Sequence, residues 1–537
     1  MKFFEPTIII PRNPINRFNK FIKKYIVVFL IIILTTIAIT SFVAYYKNGL
    51  GLAYNDARSH LDIGRRVVEG LKPGLAQIGS VWLPLPHLLM VPTIWNDFMW
   101  HSGLSGALQS MISFVLTAIL VYFYLKALGV KLVGRLVGVA VFVANINILY
   151  LQSTAMTELL LMATTLAGSY FLLIWSKNDK IINLILAAFF IMLSTLNRYD
   201  GWFLFLMSGG LIALISFIKK GYKKAEGASI LFATLAGVGI FLWFIWNALI
   251  FKDPLYFAFG PFSAHAQQAQ LSDAGVLQTK GNIVLSVKVY LYALLYNSYT
   301  FPAILAAIGS IILVLNKKIN FSEKAMTMTL FSPLIFNIIA LYLGHSVLFV
   351  QGISGNTWFN VRYGVLLMPS IAIFVGFLVN HLKKTGYIMI ALLCFMMYFA
   401  FANSDAVTID DAKVGSSQKN VSEVSGWLKT NAKDKDGFIL ISAASHDAII
   451  FSSDLPMKKF IHEGTGPYWL SATAASDRWA RWIIMRTYDA NDLTYREVSK
   501  TDALSKYNLV GKYPFADIYE LKDEYLKELN TKPILNE

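Results

Sequence analysis

Cysteine is nearly missing from this 537-residue chain. Its one copy, Cys394, lies inside an apolar run, so no intramolecular disulfide can form and a cysteine-built metal site lacks its ligands; plain packing is expected of it. Charge is scarce too, at 15% of residues against 56% hydrophobic, with a mean hydropathy of +0.55. A soluble protein of this length would expose too much apolar surface at that composition. There is no GxxxxGKS phosphate loop, no internal repeat and no heptad array, which weakens an ATP-driven transporter reading.

What is present is a succession of apolar runs of about 20 residues, enough to span roughly 30 Å of hydrocarbon. Continuous runs read as helices and not as alternating barrel strands, because each spanning segment must satisfy its own backbone. The candidate spans are 25–45, 104–127, 132–150, 156–176, 181–197, 202–218, 228–250, 300–316, 326–345, 361–381 and 386–402. The net charge of +15 does not point to nucleic acid, because much of the excess sits in clusters at the ends of these runs. Lys2, Arg12, Arg17, Lys20, Lys23 and Lys24 precede the first run, which is too long for a signal peptide core and is read as a retained helix. Lys126/Lys131/Arg135, Lys177/Lys180, Lys219/Lys220/Lys223/Lys224, Lys317/Lys318/Lys324 and Lys383/Lys384 then all fall on one side of an eleven-helix chain. The expected fold is thus a polytopic α-helical membrane protein with its N-terminus inside and its C-terminus outside.

Three larger pieces remain for the outer face: the first loop, 46–103; a second loop, 251–299; and everything from 403 onward. The second loop includes 282–298, expected to be an interfacial helix anchored by Tyr290, Tyr292 and Tyr296. Composition divides the chain into a membrane unit, 1–402, and a small outer α/β domain, 403–537. In the latter, Val421–Thr430 and Asp477–Arg481 read as helices and Gly437–Ser442, Trp482–Met485 and Ile518–Leu521 as strands. His446, His462 and Asp477 read as ordinary surface.

Ionisable residues at membrane depth are costly and therefore informative. In the first loop, Asn55 is a good N-cap, followed by Asp56 and His60 on one helical face. Pro84 and Pro86 then break regular helix ahead of His87, which reads as a hydrogen-bonded structural histidine. Glu158 begins the fourth span, where capping and function are equally good readings. Arg198 and Asp200 sit in a very tight turn, either paired with each other or gripping an anion. Arg362 and Tyr363 open the tenth span, where snorkelling to lipid phosphates is the plain alternative for the arginine. Singly these signals are weak; together they place three carboxylates and two guanidiniums on the outer face.

At these residues the chain resembles the GT-C superfamily of membrane glycosyltransferases, in the branch of protein O-mannosyltransferases and aminoarabinose lipid A transferases (glycosyltransferase family 39 type). The likeness rests on YNDARSHL in the first loop, the TE pair at 157–158 and RYDGW at 198–202, and covers roughly 25–250. It implies sugar transfer from a polyprenyl-phosphate donor to an acceptor hydroxyl, with inversion, in an extracytoplasmic site of a multi-pass cell-membrane protein. Asp56 would be the general base and Arg198 and Arg362 would neutralise the leaving phosphate. Glu158 and Asp200 would orient the sugar or hold the arginines, with Tyr363 beside them, and His60 would position Asp56. Partners would be the donor, the bilayer and a glycan, lipid or protein acceptor, without nucleic acid. No cofactor is expected, although spacing alone leaves a divalent metal open. Two departures stand out: Asp56 is followed by Ala57 where relatives often carry a second acid, and the WWDYG motif of oligosaccharyltransferases is absent. The competing reading is a transporter or flippase of lipid-linked or anionic substrates, which should show inverted repeats and broken midplane helices.

Overall fold

The computed structural model describes residues 14–533 except 261–262, 274, 383 and 415–417. Lys2, Arg12 and Lys383 of the basic clusters lie outside the described residues. Among the described residues, eight helices are long and apolar enough to cross a membrane: Tyr25–Lys47, Leu104–Ala127, Glu158–Asn178, Asp200–Lys220, Tyr222–Phe251, Phe321–Tyr342, Val361–His381 and Thr385–Val414. The chain is a multi-pass membrane protein. Two expected spans are shorter helices, Leu132–Val143 and Ile181–Thr195. A third, Thr300–Leu315, is bent by 109° from Ile283–Ser298. The bend falls at Tyr299, whose φ of +62° ends one helix and starts the next. Tyr290 of the preceding helix is buried in protein, not at an interface, while Tyr292 and Tyr296 are exposed.

Bulky side chains such as Leu206, Leu249 and Phe395 point outward from the bundle, as hydrocarbon permits and water does not. Cys394 is exposed on the last long helix, so the packing role expected of it does not hold.

The first loop builds a helix, Asn55–Val68, a short turn at Leu75–Ile78 and a second helix, Leu85–Ile94. Tyr54, not Asn55, takes the N-cap position, in extended conformation. The two prolines do not prevent the second helix; Pro86 lies in its first turn, where a missing N–H costs nothing. The Asn55–Val68 helix packs against Leu85–Ile94 on one side and the outer-domain helix Ala443–Ser452 on another.

The C-terminal part of the chain, called the outer domain after its expected side, carries a five-stranded sheet, β1 (Phe438–Ile441), β2 (Phe460–Ile461), β3 (Ala480–Met485), β4 (Tyr507–Lys512) and β5 (Asp517–Leu521), in the order β2-β1-β3-β5-β4. β1 pairs in parallel with β2 and β3, and β5 runs antiparallel between β3 and β4. β1 is buried throughout, the pattern of a central parallel strand. β2 is too short, and β4 too exposed and irregular at Gly511, to stand out in sequence. The expected helix over Asp477–Arg481 stops at Trp479, and Ala480 already opens β3. His446, His462 and Asp477 are buried, not surface: His446 pairs with Asp492 at 2.6 Å inside the fold, and Asp477 with Lys506 at 2.6 Å.

Two glycines set how closely the site-bearing elements approach. A Cβ on Gly201 would lie 2.3 Å from the Ser194 carbonyl carbon, and one on Gly364 would lie 2.4 Å from that of Ala293. Backbone cannot yield as a flexible side chain does, so each position demands glycine. Gly364→Ala is expected to destabilise the bundle by about 1–3 kcal/mol, the usual cost of overpacking. The thermal unfolding midpoint in detergent should fall; an unchanged midpoint would show that the two helices separate freely.

Candidate active site

Glu158 is the centre of the polar cluster. It begins the helix Glu158–Asn178 and is 0% exposed, a position where an ionised carboxylate is tolerated only with charged partners. Two guanidiniums supply them: its Oε1 accepts from Arg362 Nε at 3.1 Å and from Arg198 Nη1 at 3.3 Å. Arg198 lies in the turn before the helix Asp200–Lys220 and also donates to Asp200 Oδ2 and Thr157 Oγ1, each at 3.3 Å. Asp200 in turn accepts from Asn337 Nδ2 at 3.4 Å. Arg362 reaches the other way and pairs with Asp56 through Nη2.

The result is a chain of alternating charge, Asp56–Arg362–Glu158–Arg198–Asp200, drawn from four separate elements. Tyr363 lies between the arginines, its ring centroid 4.9 Å from the Arg198 guanidinium and 5.2 Å from that of Arg362. Tyr290 donates to the Tyr363 carbonyl at 3.2 Å and fixes that stretch of backbone. Along the chain exposure is uneven. The Asp56 side chain is 40% exposed and that of Arg198 20%, whereas those of Asp200, Arg362 and Glu158 are 7% or less. Asp56 is therefore the most accessible charge of the five.

Six of the seven expected residues come together in this way; His60 does not join them. One turn after Asp56, it turns to His87, with Nδ1 2.9 Å from His87 Nε2, and its ring lies 4.4 Å from that of Trp82. Its partner is thus a second histidine and not Asp56. Burial, followed by the positive charges of Arg198 and Arg362, pushes His60 down to about 3. Burial lowers His87 as well, so the pair stays neutral at ordinary pH.

Sequence reasoning passed over two further groups. Asp411, 3% exposed, lies 3.9 Å from Arg362 Nη1, and Tyr54 places its ring 4.9 Å from the same guanidinium. Asp411 sits in a polar stretch beside Asp410, where one more acid attracts no notice. Tyr54 was visible only as the residue before the first-loop helix. Among the described residues, no group of three or more His, Cys, Asp and Glu is arranged to hold a metal ion.

No family model and no curated protein matches the chain in sequence. Solved structures do match in shape. ArnT from Cupriavidus metallidurans, bound to undecaprenyl phosphate, aligns with 91% of this chain and 98% of its own, at 10% identity and a TM-score of 0.51. The apo state of ArnT aligns equally well. The chain has the GT-C fold. The archaeal oligosaccharyltransferase AglB from Archaeoglobus fulgidus, in complex with an inhibitory peptide and a dolichol-phosphate, is a more distant match, at 12% identity and a TM-score of 0.47 over 94% of this chain and 75% of its own.

The histidine pair yields a pH prediction for the GT-C unit. His60 titrates near 6.5 when unfolded and at about 3 when folded, so between those values the unfolded chain binds more protons. Its contribution to stability is full above about pH 6.5 and declines as pH falls towards 3. His60→Gln should therefore make the unfolding midpoint less sensitive to acid over that window; an unaltered slope would show that His60 is solvated and not buried.

Proposed function

We propose that this protein is a glycosyltransferase that moves a sugar from a polyprenyl-phosphate-linked donor to an acceptor hydroxyl. The observation that carries the reading is the alternating charge chain with Asp56 at its accessible end, in a fold shared with a protein solved with undecaprenyl phosphate. A transferase of this kind needs a base at the acceptor and fixed positive charge at the leaving group, and the chain offers both within one contiguous cluster.

In the proposed reaction the acceptor oxygen attacks the anomeric carbon while Asp56 takes its proton. The bond from that carbon to the phosphate oxygen breaks on the opposite face, which inverts the centre. The phosphate leaves with the electron pair and is neutralised by Arg198 and Arg362. In the resting arrangement both guanidiniums are occupied by carboxylates. An arriving phosphate exchanges partners with them, so the cations are held in place before the donor enters and little reorganisation is needed. Glu158 remains between them as the counter-charge that keeps two arginines side by side. The acceptor would be a glycan, a lipid or a protein.

Undecaprenyl phosphate binding, followed by native mass spectrometry, tests the reading. Wild type should retain the lipid over bulk phospholipid, and Arg198→Ala should weaken binding by about 10–100-fold, the worth of a charged hydrogen bond of ~1.5–3 kcal/mol. Asp56→Asn should keep donor binding and lower transfer by roughly 10²–10⁴-fold, the range for a lost general base. Full transfer activity in that variant would remove Asp56 from the mechanism.

The site is proposed to face the extracytoplasmic side of the cell membrane, with the N-terminus inside and the C-terminus outside, on the strength of the basic clusters. Cys394 is the only cysteine, so a Cys394→Ser chain offers a clean background for labelling. In that background Tyr488→Cys, at a position 88% exposed on the outer domain, should react with a membrane-impermeant maleimide in intact cells. Labelling only after lysis would reverse the orientation.

A further inference from the structure

Asp411 has no part in the proposed chemistry, yet it is buried beside it. It belongs to Val407–Val414, the short helix that follows Thr385–Ala402 within the span Thr385–Val414 and leads into the outer domain. This short helix is fastened to the membrane unit at two places. Asn147 Oδ1 accepts from the Thr408 backbone N–H at 3.1 Å and from its hydroxyl at 2.8 Å. The Tyr54 hydroxyl lies 2.9 Å from the Thr408 carbonyl and 3.1 Å from Asp411 Oδ2, and can donate its proton to either.

The three nitrogens of the Arg362 guanidinium each have a different carboxylate neighbour. Nη2 goes to Asp56, Nε to Glu158 at 3.1 Å, and Nη1 has Asp411 at 3.9 Å. The Tyr54 ring lies 4.9 Å from the guanidinium carbon, on the tyrosine whose hydroxyl reaches Asp411. Among the described residues its one cationic partner is Arg362, at this third corner, and a carboxylate on a residue only 3% exposed is expensive to keep for packing alone.

We propose that Asp411 is a positioning residue for Arg362: with Tyr54 it fixes the plane of the guanidinium, so that the cation stays aimed when Asp56 lets go of it and a lipid phosphate arrives. The inference rests on the transferase reading above. It ties the outer domain to the reacting centre through the eight-residue helix that carries Asp411.

The test is undecaprenyl phosphate titration by native mass spectrometry on wild type, Asp411→Asn, Arg362→Lys and the double variant, with unfolding midpoints measured in parallel. Asp411→Asn should weaken binding about tenfold, and in the Arg362→Lys background it should add nothing, because both changes act through one guanidinium. Tyr54→Phe keeps every formal charge and the ring, and should weaken binding in the same direction; it serves if Asp411→Asn does not fold. Tighter binding by Asp411→Asn would show a mere repelling charge and overturn the proposal. So would unchanged binding, or a loss that adds in full to that of Arg362→Lys. Selective binding by wild type with any of these results removes only the role of Asp411; failure of wild type to bind removes the transferase reading and this role with it.

Discussion

Everything at the centre of this molecule depends on one buried carboxylate being shared by two arginines. Glu158 is wholly removed from solvent, and an isolated charge there would cost several kcal/mol even after relaxation. Arg198 or Arg362 alone at the same depth would be equally unfavourable. Each is tolerable only with the other charges in place, so the cluster forms as a unit or not at all. Its members come from the starts of four helices and the tight turn before one of them, and the ion pairs therefore fix how these elements meet. Apolar packing cannot do this in hydrocarbon, where lipid competes equally well for a leucine face. The glycines at 201 and 364 complete the arrangement by letting backbone touch backbone where the charged side chains depart.

The same constraint explains why Asp56 differs from the rest. Glu158 and Asp200 are enclosed by their partners, whereas Asp56 holds Arg362 from a half-open position at the start of an extramembrane helix. A base must be reachable and able to release its partner; a structural counter-ion must be neither. In the proposed transferase, exposure is what sets Asp56 apart from Glu158 and Asp200, more clearly than sequence context does.

How much of this was legible beforehand follows from the same physics. Apolar runs and the lysines that end them are local, so most of the long helices, and six residues of the polar cluster, could be picked out from the sequence. An ionisable residue in an apolar setting announces itself. Asp411 did not, because it stands in a polar stretch after the last span, and only tertiary folding carries it to Arg362. His60 was correctly placed on the face of Asp56 but wrongly partnered: helical spacing says which residues share a face, not that His87 will come over from a later helix. His446 and His462 misled for the opposite reason, since polar residues in a soluble domain look exposed until a five-stranded sheet buries them.

The Asn55–Val68 helix shows why the outer domain belongs to the site and is not an appendage. Asp56 lies on the side of Arg362, while Ser59 and Asp62 lie on a side that meets the outer domain. There Ser59 bonds Asp447, and Asp62 accepts from Trp100 Nε1 at 3.2 Å. Burial, with Asp447 as the next cause, holds the Asp62 carboxyl well above its usual range, and burial likewise raises Asp447. Burial at this boundary favours the protonated form of both acids and so eases their close approach. Arg58 on this helix is also almost fully buried, its Nε and Nη2 bound to the Leu52 carbonyl at 3.0 and 2.9 Å. A helix with buried polar groups on two sides has no stable place at a bare membrane surface; it needs partners above and below. The membrane unit supplies Arg362 and Glu158 below, and the outer domain supplies Asp447 above. The orientation of Asp56 is therefore the product of both, which is reason enough for one chain to carry a membrane bundle and a sheet domain together.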